Sequence, residues 1–123
     1  MRPALVPALT TGLISALLLT ASASIADTAP PAFTACAVCH AVKAGATSGG
    51  TNLAGVYGRK IAGLPGYNYS DALKAKHGAR DDATLEAYIT APATFAPGTK
   101  MSFAGQHDAA ARKAIIAYLK SLN

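Results

Sequence analysis

Two cysteines and a histidine stand close together in the segment Cys36-Ala-Val-Cys-His40. Two thiols three positions apart can form thioether bonds to the two vinyl groups of one haem, and a histidine directly after the second thiol can bind the iron. Cys36 and Cys39 are the only cysteines of the chain, so no disulfide competes for them. The spacing therefore predicts covalent attachment of one haem c.

Two other uses of a C-x-x-C pair fit this sequence less well. A zinc site needs two more Cys or His ligands at close spacing, and His77 and His107 lie far from the motif. A thioredoxin-like redox pair needs a strand, a turn and a helix in an α/β chain, and no alternating strand pattern of useful length occurs here. We therefore interpret the motif as haem attachment.

Met101 is the candidate for a second iron ligand beside His40. It follows the Pro-Gly turn at residues 97–98, in a segment without a helical or strand pattern. A lone methionine more often fills a core, usually from a helix or strand, whereas a turn can aim a side chain at a fixed point. A thioether ligand would raise the reduction potential because soft sulfur favours ferrous iron. The residue types alone leave both interpretations of Met101 open.

The N-terminal segment has the pattern of a secretory signal peptide. Arg2 is the only charged residue before Asp27, the run from Leu5 to Ala21 is mostly apolar, and residues 24–26 are suited to a cleavage site. An uncleaved membrane anchor is the alternative, but the run contains proline and glycine and is barely long enough to span a bilayer. We predict that residues 1–26 are a signal peptide, cleaved after its last residue.

Residues 27–123 then form one small mature domain. Cleavage lowers the formal net charge only from +5 to +4, and the basic residues are scattered, which argues against a nucleic-acid partner. A domain of this size makes a marginal core on its own, and a buried haem would supply much of the missing apolar surface. Export together with haem attachment indicates the bacterial periplasm.

The hydrophobic pattern predicts helices and no strands. We expect a helix over 33–41 that carries the haem motif, a short helix capped by Ser70 that ends near Lys76, a helix that begins at Asp81–Asp82 and ends at Thr90, and a C-terminal helix from Asp108 to Leu122. Residues 52–69 hold too many glycines and prolines for regular structure, and residues 93–106 are expected to form another loop. The predicted fold class is all-α, with three main helices and irregular loops around one haem.

Residues 32–123 resemble a class I, mitochondrial-type soluble cytochrome c. The motifs that carry the resemblance occur in the same order as in that family: the haem motif, Asn52-Leu53, Gly58-Arg59-Lys60, Pro65-Gly-Tyr-Asn-Tyr-Ser-Asp71, Leu85-Glu-Ala-Tyr88-Ile89 and Pro97-Gly-Thr-Lys-Met101. The resemblance implies the cytochrome c fold and single-electron transfer between redox proteins, so that the chain is a carrier and not an enzyme.

Carried over by position, the resemblance also assigns roles around the haem. It implies that His40 and Met101 are the axial ligands, that Arg59 and Tyr69 lie near a haem propionate, and that Tyr88 lies near the Met101 sulfur. Ordinary core packing is the alternative for the two tyrosines, and a plain surface charge is the alternative for Arg59.

Two of the chain's departures from the family pattern bear on contacts to the axial histidine and to a propionate. Thr51 stands where the family usually has a proline whose carbonyl accepts the N–H of the axial histidine, and a threonine carbonyl can accept it too. Arg80 stands where a tryptophan usually meets a propionate. An arginine there can pair with the propionate or be solvated, and the sequence leaves both open.

The resemblance also bears on partners. Where the family often has lysines around the exposed haem edge, this chain keeps only Lys100, and the matching positions hold Ala35, Ala93, Thr94 and His107. We therefore expect redox proteins to dock with little charge steering. We also expect a monomer without stable membrane insertion.

Two rival functions belong to other classes. A haem peroxidase or gas-binding protein needs an open iron position, which ligation by Met101 would block. A small cytochrome subunit held permanently in an oxidoreductase complex fits the sequence as well as a free carrier does.

Overall fold

The computed structural model describes residues 3–4 and 28–123, so the predicted signal peptide lies outside the described residues except at positions 3–4. A 3-10 turn over Pro31–Phe33 leads into five helices: α1 (Thr34–Ala37), α2 (Asp71–Lys74), α3 (Asp82–Thr90), α4 (Pro92–Phe95) and α5 (Ala109–Ser121). The described residues contain no strand beyond an isolated bridge between Lys60 and Ala79. The all-α prediction is therefore confirmed. Among these helices none is long and apolar enough to cross a membrane.

The predicted helix starts are confirmed by their caps. Asp81 accepts the amide of Thr84 at 2.9 Å, and the Thr84 hydroxyl in turn receives the Asp81 amide at 3.0 Å, which closes a capping box before α3. The bond from the Thr84 amide holds the pKa of the Asp81 carboxyl below its usual value. Ser70 and Asp108 each accept the amide three residues later, at 3.2 and 3.0 Å, and so begin α2 and α5.

The predicted helix over 33–41 was too long, because α1 ends at Ala37. The Cys36 carbonyl accepts the amides of Cys39 and of the residue after it, at 3.1 and 3.0 Å, and closes a tight turn. The Cys39 carbonyl then accepts the Gly50 amide at 2.7 Å instead of a helical partner. The haem motif therefore starts on a helix and ends on a turn that is hydrogen-bonded to Gly50.

Helix α4 was missed, because residues 93–106 were expected to be a loop. Proline at the first helical position needs no hydrogen bond from its nitrogen, so Pro92 begins a new turn directly after α3. The amide of Ala96 bonds to the Pro92 carbonyl at 2.9 Å, and both residues are buried. The same proline thus ends one helix and starts the next, which a reading of proline only as a helix breaker overlooks.

The buried apolar side chains form two separate clusters. The larger joins the 3-10 turn, α3 and α5, and consists of Phe33, Val56, Leu85, Ile89, Ile115, Ile116, Tyr118 and Leu119. The smaller consists of Ile61, Tyr69, Leu73 and Ala96. Phe33 meets Tyr118 edge to face with ring centroids 4.8 Å apart, which fixes the start of the domain against α5.

Candidate cofactor site

A cavity of about 600 Å³ is lined by residues of both core clusters. This volume is in the range of small-molecule and cofactor sites. Much of its wall is apolar, with Leu53, Leu73 and Ile115 among the lining side chains. All seven residues that the sequence singles out line this one cavity: Cys36, Cys39, His40, Arg59, Tyr69, Tyr88 and Met101. What each of them does for a cofactor stays a prediction.

The two cysteines line the cavity, one from α1 and one from the turn that follows it. Cys36 is partly buried and Cys39 is exposed, and both are free cysteines. Burial raises the pKa of the Cys36 thiol, although a backbone hydrogen bond partly offsets this. Val38 lies between them and is 81 % exposed, so the motif stands at the surface of the protein with its sulfur-bearing positions towards the cavity.

The imidazole of His40 is held in one orientation. Its Nδ1 lies 2.7 Å from the Thr51 carbonyl oxygen, which confirms that a threonine carbonyl serves at this position. Because a carbonyl oxygen only accepts, Nδ1 carries the hydrogen and Nε2 keeps the lone pair that can bind a metal. A carbonyl acceptor of this kind fixes both the tautomer and the ring plane of a ligating histidine.

Gly50 is a contributor to this orientation that the sequence reasoning missed. A Cβ at this position would lie 2.8 Å from Cε1 of His40 and 2.9 Å from the Cys39 carbonyl oxygen. Only a glycine lets the returning chain approach the imidazole this closely, and the preceding Gly49 has no atom within 4 Å of such a Cβ. Neither spacing nor composition signals the difference between these two neighbouring glycines.

Met101 lies in the segment between α4 and α5. The turn before it contains Gly98 at φ +84°, and the Thr99 amide bonds to the Ala96 carbonyl at 2.9 Å. Met101 is partly buried, lines the cavity and belongs to neither described core cluster. Its surroundings therefore differ from those of a methionine that fills a core.

The tyrosine hydroxyls have partners within the protein. The Tyr69 oxygen accepts the Leu64 amide at 3.0 Å and keeps its own hydrogen for a second partner. The Tyr88 oxygen lies 2.9 Å from the Thr99 hydroxyl oxygen. The resemblance implied that Tyr88 lies near the Met101 sulfur, and the partner found for its hydroxyl is Thr99, two residues before that methionine.

Two arginines line the cavity and differ in their bonding. Arg59 is partly buried and donates to the carbonyls of Asn52 and Ala54 at 3.1 and 2.7 Å, so it is not a plain surface charge. Arg80 is only 8 % exposed, and its Nη1 has no hydrogen-bond partner among the described residues. The alternative of a solvated Arg80 is therefore wrong. The sequence does not decide between pairing and solvation of Arg80, because residue spacing carries no information about burial.

These features fit a haem. The cavity has a largely apolar wall and a suitable volume, and its rim offers two thiols, an imidazole with a free Nε2 and a thioether sulfur. Two cysteine thiols, which form the thioether bonds to the porphyrin, together with an imidazole and a methionine sulfur for the iron, are the groups that hold c-type haem. The buried Nη1 of Arg80, which has no partner among residues 28–123, suits the acidic side chains of the same group.

The fold and the site together define a small helical protein built around one cofactor cavity. The sequence profile of the family described as cytochrome c matches residues 29–123, nearly all of the described chain. The chain therefore belongs to the cytochrome c family, as the class I resemblance implied. This family consists of small c-type cytochromes that carry electrons on covalently attached haem, and Cys36 and Cys39 have the attachment spacing.

Individual relatives agree with this assignment. The chain is 50 % identical over 95 residues to cytochrome c2 iso-2 of Magnetospirillum fulvum, which covers 76 % of this chain and 98 % of that protein. It is 46 % identical over 88 residues to cytochrome c of Gibberella zeae, which covers 71 % and 83 % of the two chains. The solved structure of cytochrome cH from Methylobacterium extorquens superposes with a TM-score of 0.67 at 41 % identity, and covers 73 % and 91 %.

Proposed function

We propose that this protein is a periplasmic single-electron carrier whose one haem c is bound through Cys36 and Cys39, with His40 and Met101 as the axial ligands of its iron. The observation that carries the proposal is that these four side chains line the same cavity, although Met101 lies far from the other three in the sequence. The bound haem supplies the one-electron couple of its iron.

The residues of the chain have separate tasks in this function. Hydrogen bonding of Nδ1 to Thr51 directs the free Nε2 of His40 away from that carbonyl and keeps the imidazole from rotating. The Thr99 hydroxyl lies 3.4 Å from the Met101 amide nitrogen and holds the segment that carries the thioether. Donors held rigidly in this way would favour electron transfer on a bound haem, since little geometry would change between the two oxidation states. The apolar side chains of the wall exclude water.

The site proposal is tested with Met101→Ala. If Met101 is a ligand, the ferric variant loses the weak long-wavelength absorption band of sulfur–iron ligation and binds added imidazole, and its reduction potential falls because the soft donor is gone. Leu53→Ala is the matched control, because this residue also lines the cavity but has no donor atom. A Met101→Ala variant with the spectrum and potential of the unchanged protein would overturn the assignment.

The attachment proposal is tested with the double variant Cys36→Ala, Cys39→Ala. These cysteines are the only ones in the chain, so the variant has no thiol to form a thioether. A denaturing gel stained for haem should show a band for the unchanged exported protein and none for the variant. A haem band in the double variant would contradict covalent attachment at this motif.

Localisation rests on the N-terminal pattern and on haem attachment together. We expect the protein to be released with the periplasmic fraction, and mass spectrometry of that fraction to give a chain that begins at Asp27. A protein that stays with the membranes and keeps residues 1–26 would instead support the uncleaved anchor.

The two rival functions have direct tests. A peroxidase or gas-binding protein has an open iron position, so the reduced protein would show a strong carbon monoxide difference spectrum, whereas a carrier ligated by Met101 should show almost none. A permanent complex subunit would co-purify with its oxidoreductase from the native host, whereas the free carrier that we propose elutes as a monomer and meets its redox partners transiently.

A further inference from the structure

Arg80 is held in place by an irregular pair of chain segments. Its amide donates to the Arg59 carbonyl at 2.7 Å, and its carbonyl accepts the Gly58 amide at 2.8 Å. The Ile61 amide bonds to the Gly78 carbonyl at 2.9 Å one step further along. This bridge fixes the backbone of Arg80 beside the cavity that its side chain lines.

The guanidinium of Arg80 is buried, and within the described part of the chain no carboxylate pairs with it. The side chain is 8 % exposed, its Nη1 lacks a partner among residues 28–123, and its Cζ lies 4.7 Å from the centroid of the Tyr88 ring. Burial lowers the pKa of Arg80, yet an arginine keeps its proton in proteins. The charged or titratable groups that act on it are the hydroxyls of Tyr88 and Tyr69 and the cation of Arg59, and none of them supplies an anion.

The carboxylate nearest in sequence does not fill this role. Asp81 follows Arg80 directly, but it is exposed and accepts the Thr84 amide at the start of α3. Arg59, by contrast, already donates to two backbone carbonyls. Burying an unpaired charge is costly, and guanidinium groups pair well with carboxylates. Among the described residues that line the cavity, Arg80 has a buried guanidinium nitrogen without a partner, so it is the cation that an anionic partner would stabilise.

We propose that Arg80 is the buried counter-ion of a haem propionate and that this pairing raises the reduction potential of the protein. The proposal rests on the proposed function, because it takes haem as the occupant of the cavity. A carboxylate near the iron favours the more positive ferric state, and a cation fixed beside that carboxylate cancels this preference. The cation also favours the ionised form of the carboxyl group, so it loses its proton at lower pH.

The test compares three variants of the haem-loaded protein. Arg80→Gln removes the charge and keeps a polar side chain, and Arg80→Lys keeps the charge without the planar group. Lys113→Gln is the matched control, because it removes one positive charge from an exposed position on α5 that does not line the cavity. The reduction potential of each variant is measured by redox titration as a function of pH.

We expect Arg80→Gln to lower the potential and to make it depend on pH where the propionate now binds a proton. Arg80→Lys should retain most of the potential of the unchanged protein, and Lys113→Gln should leave the potential and its pH profile unchanged. An equal shift for Arg80→Gln and Lys113→Gln would overturn the proposal, because net charge alone would then explain the effect.

Two further measurements separate a failure of this proposal from a failure of the proposed function. The sulfur–iron band and the haem stain report whether ligation and attachment are intact, so a normal band with an unaltered potential in Arg80→Gln overturns the role of Arg80 and leaves the proposed function standing. The unchanged protein decides the question even if Arg80→Gln does not accumulate: its potential should show no propionate titration between about pH 5 and pH 8, and such a titration would overturn the pairing.

Discussion

The hydroxyl oxygens of Tyr88 and Thr99 lie 2.9 Å apart, and the Thr99 oxygen also lies 3.4 Å from the amide nitrogen of Met101. Helix α3 is thereby connected to the segment that presents the methionine. The guanidinium of Arg80 lies over the ring of the same tyrosine, with its Cζ 4.7 Å from the ring centroid. One side chain therefore contacts both the candidate propionate partner and the segment of the candidate axial ligand.

Tyr88→Phe should loosen the methionine segment. The change removes one hydrogen bond, which contributes about 1 kcal/mol, so the ferric protein should bind added imidazole about five-fold more tightly as Met101 is displaced more easily. Tyr67→Phe is the control, because the Tyr67 ring packs edge to face on Tyr69 while its hydroxyl has no hydrogen bond within the described residues. Equal imidazole affinities for the two variants would contradict this role of Tyr88.

Gly50→Ala should disturb the His40 ligand. The new methyl carbon would lie 2.8 Å from Cε1 of the imidazole, so the ring must move or the chain must shift, and such overpacking costs about 1–3 kcal/mol. We expect a lower unfolding temperature and an altered ferric haem spectrum. Gly49→Ala adds the same methyl group one residue earlier, where nothing lies within 4 Å, and should leave both measurements unchanged. Indistinguishable behaviour of the two variants would argue against a close contact at Gly50.

Arg112→Gln should destabilise the domain. Arg112 pairs with Glu86 of α3 and also donates to the Gln106 carbonyl at 2.9 Å, and its side chain is only 13 % exposed. Loss of these charge-assisted bonds should reduce the free energy of unfolding by about 2 kcal/mol, as measured by denaturant titration of the haem-loaded protein.

Lys74→Gln is the matched control for this change. It breaks the Lys74–Asp71 pair, whose side chains are 53 % and 102 % exposed, and an exposed pair of this kind contributes about 0.5 kcal/mol or less. If the free energy of unfolding falls equally in both glutamine variants, the bonds of Arg112 to Glu86 and to the Gln106 carbonyl are not important for the stability of the domain.

Electron transfer with a native redox partner should depend weakly on salt. Val38 is 81 % exposed at the haem motif, and Ala35, Ala93 and Thr94 are exposed without charge. The ammonium of Lys100 bonds to the Asn68 carbonyl at 2.9 Å, so it is partly engaged within the chain. The second-order rate should therefore fall only a few-fold from low to physiological ionic strength. A steep fall would reveal a basic docking surface, and Lys43→Glu and Lys100→Glu would then locate it.

Local chemistry in the sequence was enough for the helix starts and for the haem motif, whereas Arg59, Tyr69 and Tyr88 were placed at the site only by the family resemblance. Caps such as Asp81 and Ser70 act within three residues of themselves, so a short stretch of sequence determines them. The haem motif is equally local, since its spacing alone suits thioether attachment. The resemblance to the cytochrome c family added the pairing of His40 with Met101, and the family assignment is confirmed.

Tertiary contacts decided what no local pattern encodes. The haem motif leaves its helix at Ala37 because the Ala41 amide, which would continue the helix by bonding to the Ala37 carbonyl, donates to the Ser48 hydroxyl at 3.1 Å instead. Arg80 is a buried cation without a charge partner in the part of the chain that the structure describes, because the segment at Gly58 and Arg59 folds against it, and burial depends on residues far away in sequence. The sequence by itself determined which groups this protein has for chemistry, and the packing of separate segments determined which of them are buried, oriented and left without a partner.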